Sequence, residues 1–352
     1  MAESIAKSET TLPPVRGTAG LAKHLGVSRW TISRVLNGHE GVREETRKRV
    51  LAAVEELGFE PSKLARSLRG VPSGVIGVSF PHLEAVVLAQ KSQHLQRELK
   101  EAGYRALFEM PEGDPEVEEA VVRHFLSIHV DGIVLIGSTL AIDSPVLAEV
   151  QARGVGIVAV DSRNALPIPR VSLDRGKAME LMLRHLCELG HRRIGILGLS
   201  SDDMYQSIRK RGLQRAAELL GLDYDRDLIP VDEEGHNQQS YTFGALLAGK
   251  VLELGEAGPT ALFCLNDRIA VGVLRGLQEA GKSVPTDYSV IGFDNMPETA
   301  WTNPPLTTVD QNISKLMNQA HKALWNQTGS KPVHHKVEPK LIVRGSTGPA
   351  YN

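Results

Sequence analysis

The sequence predicts an all-α helix-turn-helix head followed by an α/β core of two doubly wound parallel-sheet subdomains. Three observations carry this prediction. Before residue 58, apolar residues recur at helical spacing in three short runs. From Val75 onward, apolar strand-like runs alternate with amphipathic helical ones. Charge divides at the same place. Residues 15 to 70 carry 11 Lys/Arg and 6 Asp/Glu, whereas the remainder of the 352 residues carries 29 and 36. A basic head on an acidic body is the pattern of a polyanion-binding module joined to a different kind of domain.

The first 17 residues are polar and lack a hydrophobic signal core, so export is not expected. Three helices follow. Ala19–Leu25 places apolar residues at 21, 22 and 25, and Gly26 breaks it. Ser28 is placed to cap Arg29–Leu36, which Asn37-Gly38 ends. Glu44–Leu57 carries an apolar stripe at 50, 51, 54 and 57. Ala22 is small where two helices must approach, and Gly26 sits in the turn between them, where a positive φ costs glycine least. This is helix-turn-helix spacing. Leu21, Leu25, Val27, Ile32 and Val35 form its small core. Ser28, Arg29, Trp30, Thr31, Ser33, Arg34 and Asn37 are left as candidate DNA-contacting residues. Arginine forks suit guanine edges, and hydroxyls and amides reach bases or phosphates. The domain bounds are 15–60 for the head, 61–72 for a linker and 73–352 for the core. Pro61 and Gly70 bracket about eight helix-capable residues, a length marginal in water.

In the core, strands are expected in GVIGVSF (74–80), YRALFEM (104–110), DGIVLIG (131–137), VGIVAVD (155–161), RRIGILGL (192–199), TALFCLN (260–266) and YSVIGFD (288–294). Helices are expected between them, among them Val86–Ala102, Arg175–Leu189 and Arg268–Ala280. Near-continuous apolar strands mean buried parallel sheets covered on both faces. Ligands of such sheets bind beyond the carboxyl ends of the strands. The candidate ligand residues are therefore those just past each run: Ser79 to His82, Ser138, Asp161, Asn266, Asp267 and Asp294.

Several classes are excluded. No apolar run approaches the length needed to span a bilayer. The histidines show no metal-ligand spacing, and His334-His335 reads as a surface pair. Cys187 and Cys264 read as buried reduced thiols. Gly276 to Ser283 fits the phosphate-loop pattern in letters, but it continues a helix instead of following a strand. With no dinucleotide fingerprint, nucleophile elbow or other catalytic constellation, no cofactor and no enzyme activity are expected.

The blocks LAKHLGVSRWTISRVLNG, VREETRKRVLAAVEELGFEPSKLARSLRG, DGIVLIG, VSLDRGKAMELMLRHLCELGHRRIGIL, LNDRIAVGVLRGLQEAGKSVPTDYSVIGFD and NPPLTTVDQ occur in this order. They resemble the lactose-repressor/galactose-repressor family of bacterial transcription regulators, and the likeness runs from about residue 18 to 347. It implies a cytoplasmic homodimer that binds double-stranded, near-palindromic operator DNA under the control of a small-molecule effector, most simply a sugar acting on a repressor of a carbohydrate-use operon; the alternative is an orphan regulator that answers to a non-sugar effector or a protein partner. It implies a periplasmic-binding-protein-like core, with an N-subdomain of about 73–171 and 303–332 and a C-subdomain of about 172–302 and 333–347. It makes Arg29 and Trp30 the variable base-reading pair. It makes residues 61–72 a hinge helix, with Ser62, Ala65 and Leu68 at the DNA and Leu68 as a minor-groove wedge. It places Ser79, His82, Ser138, Asp161, Arg209, Asn237, Asn266, Asp294 and Trp301 around the effector, Arg209 in the pattern Arg-x-x-Gly. One departure is visible. The first helix opens Gly17-Thr18-Ala19-Gly20 without the family's usual hydroxyl and acid, which leaves Thr18 as the candidate cap and phosphate contact.

Overall fold

The computed structural model describes residues 17–36, 39–57, 72–81, 86–199, 204–233, 240–326 and 332–350. The chain divides into two compact units, Met1–Ser73 and Gly74–Asn352. The sequence-predicted linker helix, with Ser62, Ala65 and Leu68, lies outside the described residues, as do Asn37, His82 and Asn237.

The first unit holds α1 (Gly17–Leu25), α2 (Arg29–Leu36) and α3 (Glu44–Glu56). Leu21, Ala22, Ile32, Val35, Val50 and Ala53 form its buried core, with Leu25, Val27, Leu36, Val42, Val54 and Leu57 around them. Gly26 takes φ 66° in the turn, with nothing near the place a Cβ would occupy. Its role there is conformational, as its position between the two helices implies.

The second unit contains two six-stranded sheets. The first has the order β11-β5-β4-β3-β1-β2 and is parallel throughout. Its strands are β1 (Val75–Ser79), β2 (Arg105–Glu109), β3 (Gly132–Ile136), β4 (Gly156–Val160), β5 (Arg170–Leu173) and β11 (His334–Val337). The second has the order β12-β10-β9-β8-β6-β7, and only its β10–β12 pair is antiparallel. Its strands are β6 (Ile194–Leu197), β7 (Leu228–Val231), β8 (Ala261–Cys264), β9 (Ser289–Phe293), β10 (Thr307–Asp310) and β12 (Lys340–Ile342). Around the first sheet lie α4 (Val86–Glu101), α5 (Pro115–Ser127), α6 (Pro145–Ala152) and α12 (Ile313–Trp325). Around the second lie α7 (Arg175–Glu188), α8 (Met204–Leu220), the short α9 (Tyr224–Asp227), α10 (Tyr241–Glu253) and α11 (Asp267–Glu279).

All seven sequence-predicted strands are present. The five that periodicity did not mark are short and polar or lie at or next to sheet edges, where one face escapes the core. Two of them change the subdomain bounds. β10 lies in the second sheet, although the family resemblance implies that 303–332 belongs to the first subdomain, and β11 lies in the first sheet, although it implies that 333–347 belongs to the second. The chain thus crosses between the sheets after β5, after β10 and between β11 and β12.

The helix α12 explains this exchange. Its Ile313, Leu316, Met317, Ala320 and Leu324 are buried with Ile76, Val134, Val158 and Val171 of the first sheet, although its flanking strand β10 belongs to the second. Gly132 and Gly156, paired across β3 and β4, make room for it. A Cβ on Gly156 would stand 2.6 Å from the Leu324 carbonyl oxygen. Gly276 has a related packing role. A Cβ there would stand 2.8 Å from Ala248 Cβ, so the phosphate-loop letters mark a tight contact between α11 and α10. Cys264 is buried as expected, whereas Cys187 is only half-buried.

Gly156→Ala must push against main chain, which cannot rotate away, so it should lower stability by about 1–3 kcal/mol. A lower urea midpoint with an unchanged denaturant slope would show this; an unchanged midpoint would contradict the close docking of α12.

Candidate functional site

In the head, α2 turns two faces to different surroundings. Ile32 and Val35 face the core, while Arg29 and Trp30 are exposed, Trp30 by 62%. Ser28 Oγ accepts from Thr31 N at 3.0 Å, the predicted cap, and also bonds Thr31 Oγ1 at 2.8 Å. The two hydroxyls thus hold the start of the helix. Arg34 differs from expectation. Its Nε donates to the Glu40 carbonyl at 3.1 Å, Nη2 donates to the same oxygen, and the guanidinium lies 4.8 Å from the Trp30 ring centroid. Here it ties the turn after α2 to the helix. Ser33 is half-buried. Thr18 does not cap α1, because the helix already begins at Gly17.

In the core, Asp161 follows β4 and is buried. Its Oδ2 accepts from Lys91 Nζ at 2.6 Å, and its Oδ1 accepts from Arg175 Nη1 at 2.8 Å and Leu173 N at 3.0 Å. Burial opposes its charge, but Arg175 and Lys91 overcome that and hold the carboxyl well below the usual carboxylate range. The cations arrive from different layers: Lys91 from α4 over the first sheet, and Arg175 from the first turn of α7 over the second. A cavity of about 210 Å³ opens on Asp161, Arg175, Asn164 and Arg170.

Asp294 follows β9 with φ 122°. Gln311 Nε2 donates to its Oδ1 at 2.6 Å, and the buried Gln311 Oε1 has no hydrogen-bond partner among the described residues. Burial raises Asp294 to about 6, against the pull of Gln311, Arg209, Lys91 and Arg175. Arg209 lies over the Phe293 ring, 5.5 Å from its centroid. The structure therefore brings Asp161, Arg209 and Asp294 into one electrostatic group, completed by Lys91, Arg175 and Gln311. Sequence reasoning passed over these three. Lys91 had a visible signal: it shares a helix face with Leu88, Leu95 and Leu99, where a charge needs a partner. Gln311 ends the NPPLTTVDQ block.

The remaining candidates have other partners. Asn266 caps α11 by accepting from Ile269 N at 2.8 Å. Its neighbour Asp267 is fully buried, accepting from Thr308 Oγ1 at 2.6 Å and Met296 N at 2.8 Å. Burial, then the Asp294 charge, raises Asp267 to about 7. Ser79 donates to Glu118 at 3.2 Å, and Ser138 Oγ accepts from Leu140 N at 3.3 Å. Glu118 also accepts from Thr139 N and Oγ1, so these serines belong to a separate bracket between the loops after β1 and β3. Trp301, expected in a pocket or the core, is in neither: it is 89% exposed. The histidines 334 and 335 are exposed on β11, and no metal-binding cluster occurs among the described residues. None of the described helices is long and apolar enough to cross a membrane.

Residues 20–62 match the family described as bacterial regulatory proteins, lacI family. Residues 183–347 match the periplasmic binding protein-like domain. The chain is 36% identical over 350 residues to an uncharacterized HTH-type transcriptional regulator in the aml 5' region of Streptomyces limosus, covering 95% of both chains. It is 33% identical to the HTH-type transcriptional regulator MalR of Streptomyces coelicolor, covering 94% of this chain and 96% of that one. Its fold is similar to the lac repressor dimer bound to operator and the anti-inducer ONPF, at TM-score 0.77 and 24% identity over 94% of this chain and 98% of that one. It is also similar in fold to the transcriptional regulator CelR in complex with cellobiose, at TM-score 0.63 and 24% identity over 93% and 98%.

Asp161→Asn would leave Lys91 and Arg175 buried without their counter-charge, and the expected loss is on the order of 3–5 kcal/mol in chemical denaturation. Asp294 behaves in the opposite sense. Its folded pKa lies above its ordinary 3.8, so its contribution is complete in acid and is lost as pH rises through about 6. Relative to the parent, Asp294→Asn should therefore gain stability from about pH 4 to about pH 6 and level off above that. A difference that stays flat with pH would show that Asp294 is not held protonated by the fold.

Proposed function

This chain belongs to the lacI family of bacterial regulatory proteins and is an HTH-type transcriptional regulator; on that premise we propose that it is a cytoplasmic, dimeric repressor whose operator affinity is set by a small molecule, a sugar, bound in its core. The carrying observation is α2: a helix capped at Ser28, locked by Ile32 and Val35, with Arg29 and Trp30 left exposed. Helix-turn-helix proteins lay the start of this helix in the major groove. Arg29 would take a guanine edge and Trp30 a thymine methyl or a sugar. Ser33, Arg34 and Asn37 would follow along the helix, with Ser28, Thr31 and Thr18 near the backbone.

The domain bounds carry over to this reading: a head of 15–60, a linker of 61–72 and a core from 73. Ser62, Ala65 and Leu68 of the linker would meet DNA at the operator centre. In the core, Arg209, Asp294 and Gln311 offer a cation, a carboxyl and an unpartnered buried acceptor, a set suited to the paired hydroxyls of a sugar. Asp161 would act through Lys91 and Arg175, which take up its oxygens. Ser79, His82, Ser138, Asn237 and Asn266 would line the cleft walls. The lac repressor and CelR structures carry an anti-inducer and a sugar on this fold, which supports that choice of ligand. A ligand gripping both sheets would favour one relative placement of them, and the linker would pass the shift on. A regulator, not a catalyst, is the role this site supports.

Arg29→Ala should weaken binding to the chain's own promoter duplex by about 1–3 kcal/mol and relax the choice at one base pair. An equal loss on every sequence would instead assign Arg29 to the phosphates. In a thermal-shift panel of maltose, cellobiose and ribose, one sugar should raise the melting temperature and change operator affinity, and Arg209→Ala should abolish both effects. No response to any sugar would remove the carbohydrate assignment.

A further inference from the structure

A second cavity, of about 590 Å³, lies at the crossover strands and adjoins the first, with which it shares Arg175, Ile208 and His334. Its size falls within the roughly 300–1,000 Å³ of small-molecule sites. One side is built from the first sheet: Ser172 of β5, with His334 and Lys336 of β11. The other side is built from helices over the second sheet: Lys177 near the start of α7, with Arg211 and Arg215 on one face of α8.

The lining is markedly cationic. Arg175, Lys177, Arg211, Arg215 and Lys336 face only Asp174 and Glu180. Both carboxylates are already engaged. Asp174 caps α7 by accepting from Lys177 N at 3.1 Å and lies 3.8 Å from Lys336. Glu180 accepts from Lys177 and Arg184, each at 2.9 Å. Arg175 is committed to Asp161. Arg211 and Arg215 are left over. Neither has a hydrogen-bond or ion-pair partner among the described residues, and two like charges four positions apart on a helix oppose its formation. Beside them the wall becomes apolar, with Ile208, Ala216 and Leu219, the last of which is 69% exposed.

We propose that this cavity binds a small phosphate ester, its dianion held between Arg211 and Arg215 and its organic part against Ile208 and Leu219. Guanidinium groups pair with phosphate oxygens in a planar two-bond geometry, and two of them match a dianion. His334 and Lys336 reach the same ligand from the other sheet. Occupancy therefore favours one relative placement of the two sheets, which makes the site a second input beside the effector cleft. The binding itself is independent of the regulator reading; only its consequence for DNA rests on that reading.

The test is calorimetric and thermal-shift titration of the full chain with glucose 6-phosphate, inorganic pyrophosphate, sulfate and glucose at matched ionic strength. Glucose 6-phosphate should bind and raise the melting temperature, and glucose should not reproduce that binding. The double variant Arg211→Gln/Arg215→Gln, altered only at exposed positions, should fold normally and weaken the phosphate ester by about tenfold or more. No binding of the ester at millimolar concentration, equal binding of sulfate, binding of pyrophosphate alone, or unchanged binding by the double variant would each overturn the assignment. Loss of operator recognition alone would count against the regulator reading and leave this binding intact.

Discussion

The core depends on one buried anion. Asp161 pairs with Lys91 and Arg175 at once, at 2.6 and 2.8 Å, with its own burial nearly complete. A buried charge without a partner is among the most costly features a protein can hold, and here three charges share one solution. The position of each partner follows from that requirement. Lys91 must leave the apolar stripe of α4 toward β4, and Arg175 must start α7 within reach of the same oxygens. A strand end of the first sheet is thereby bonded to a helix of the second. The ion cluster both holds the layers together and lies beside Arg209 and Asp294, the candidate ligand-binding groups.

The threading of the chain serves the same junction. Each sheet is completed by strands that arrive after the chain has left the other: β10 and β12 in the second, β11 in the first. Between them α12 packs on the first sheet through Leu316, Met317, Ala320 and Leu324, held close by Gly132 and Gly156. Three crossings thus connect the two sheets. Both cavities that open at this junction draw residues from the first sheet and from helices over the second.

The head works on a smaller scale. Six buried side chains hold three helices, and the recognition face of α2 is left for contact with a polyanion. Arg34 shows how one residue can serve two ends. It braces the turn after α2 through the Glu40 carbonyl and also stacks on Trp30, so the exposed ring is held instead of left to rotate freely. Rigid aromatic and arginine anchors of this sort lose little freedom on binding.

Much of this was legible in the sequence. Apolar periodicity located the three head helices and seven of the strands, because buried regular elements must repeat their apolar residues at the period of their geometry. Charge separated head from body, the resemblance of the sequence blocks supplied the family, and the strand ends pointed to Asp161 and Asp294. The strands β5, β7, β10, β11 and β12 were not legible, nor was the sheet to which β10 and β11 belong, since these two are short and their partners lie in distant parts of the chain. Nor were the partners of the polar residues. That Asp161 bonds Lys91, that Asn266 caps a helix, that Ser79 turns to Glu118 and that Trp301 stands in the open are facts of three-dimensional neighbourhood. A linear pattern records how often a side chain must be apolar; only the packed structure decides which polar group meets which.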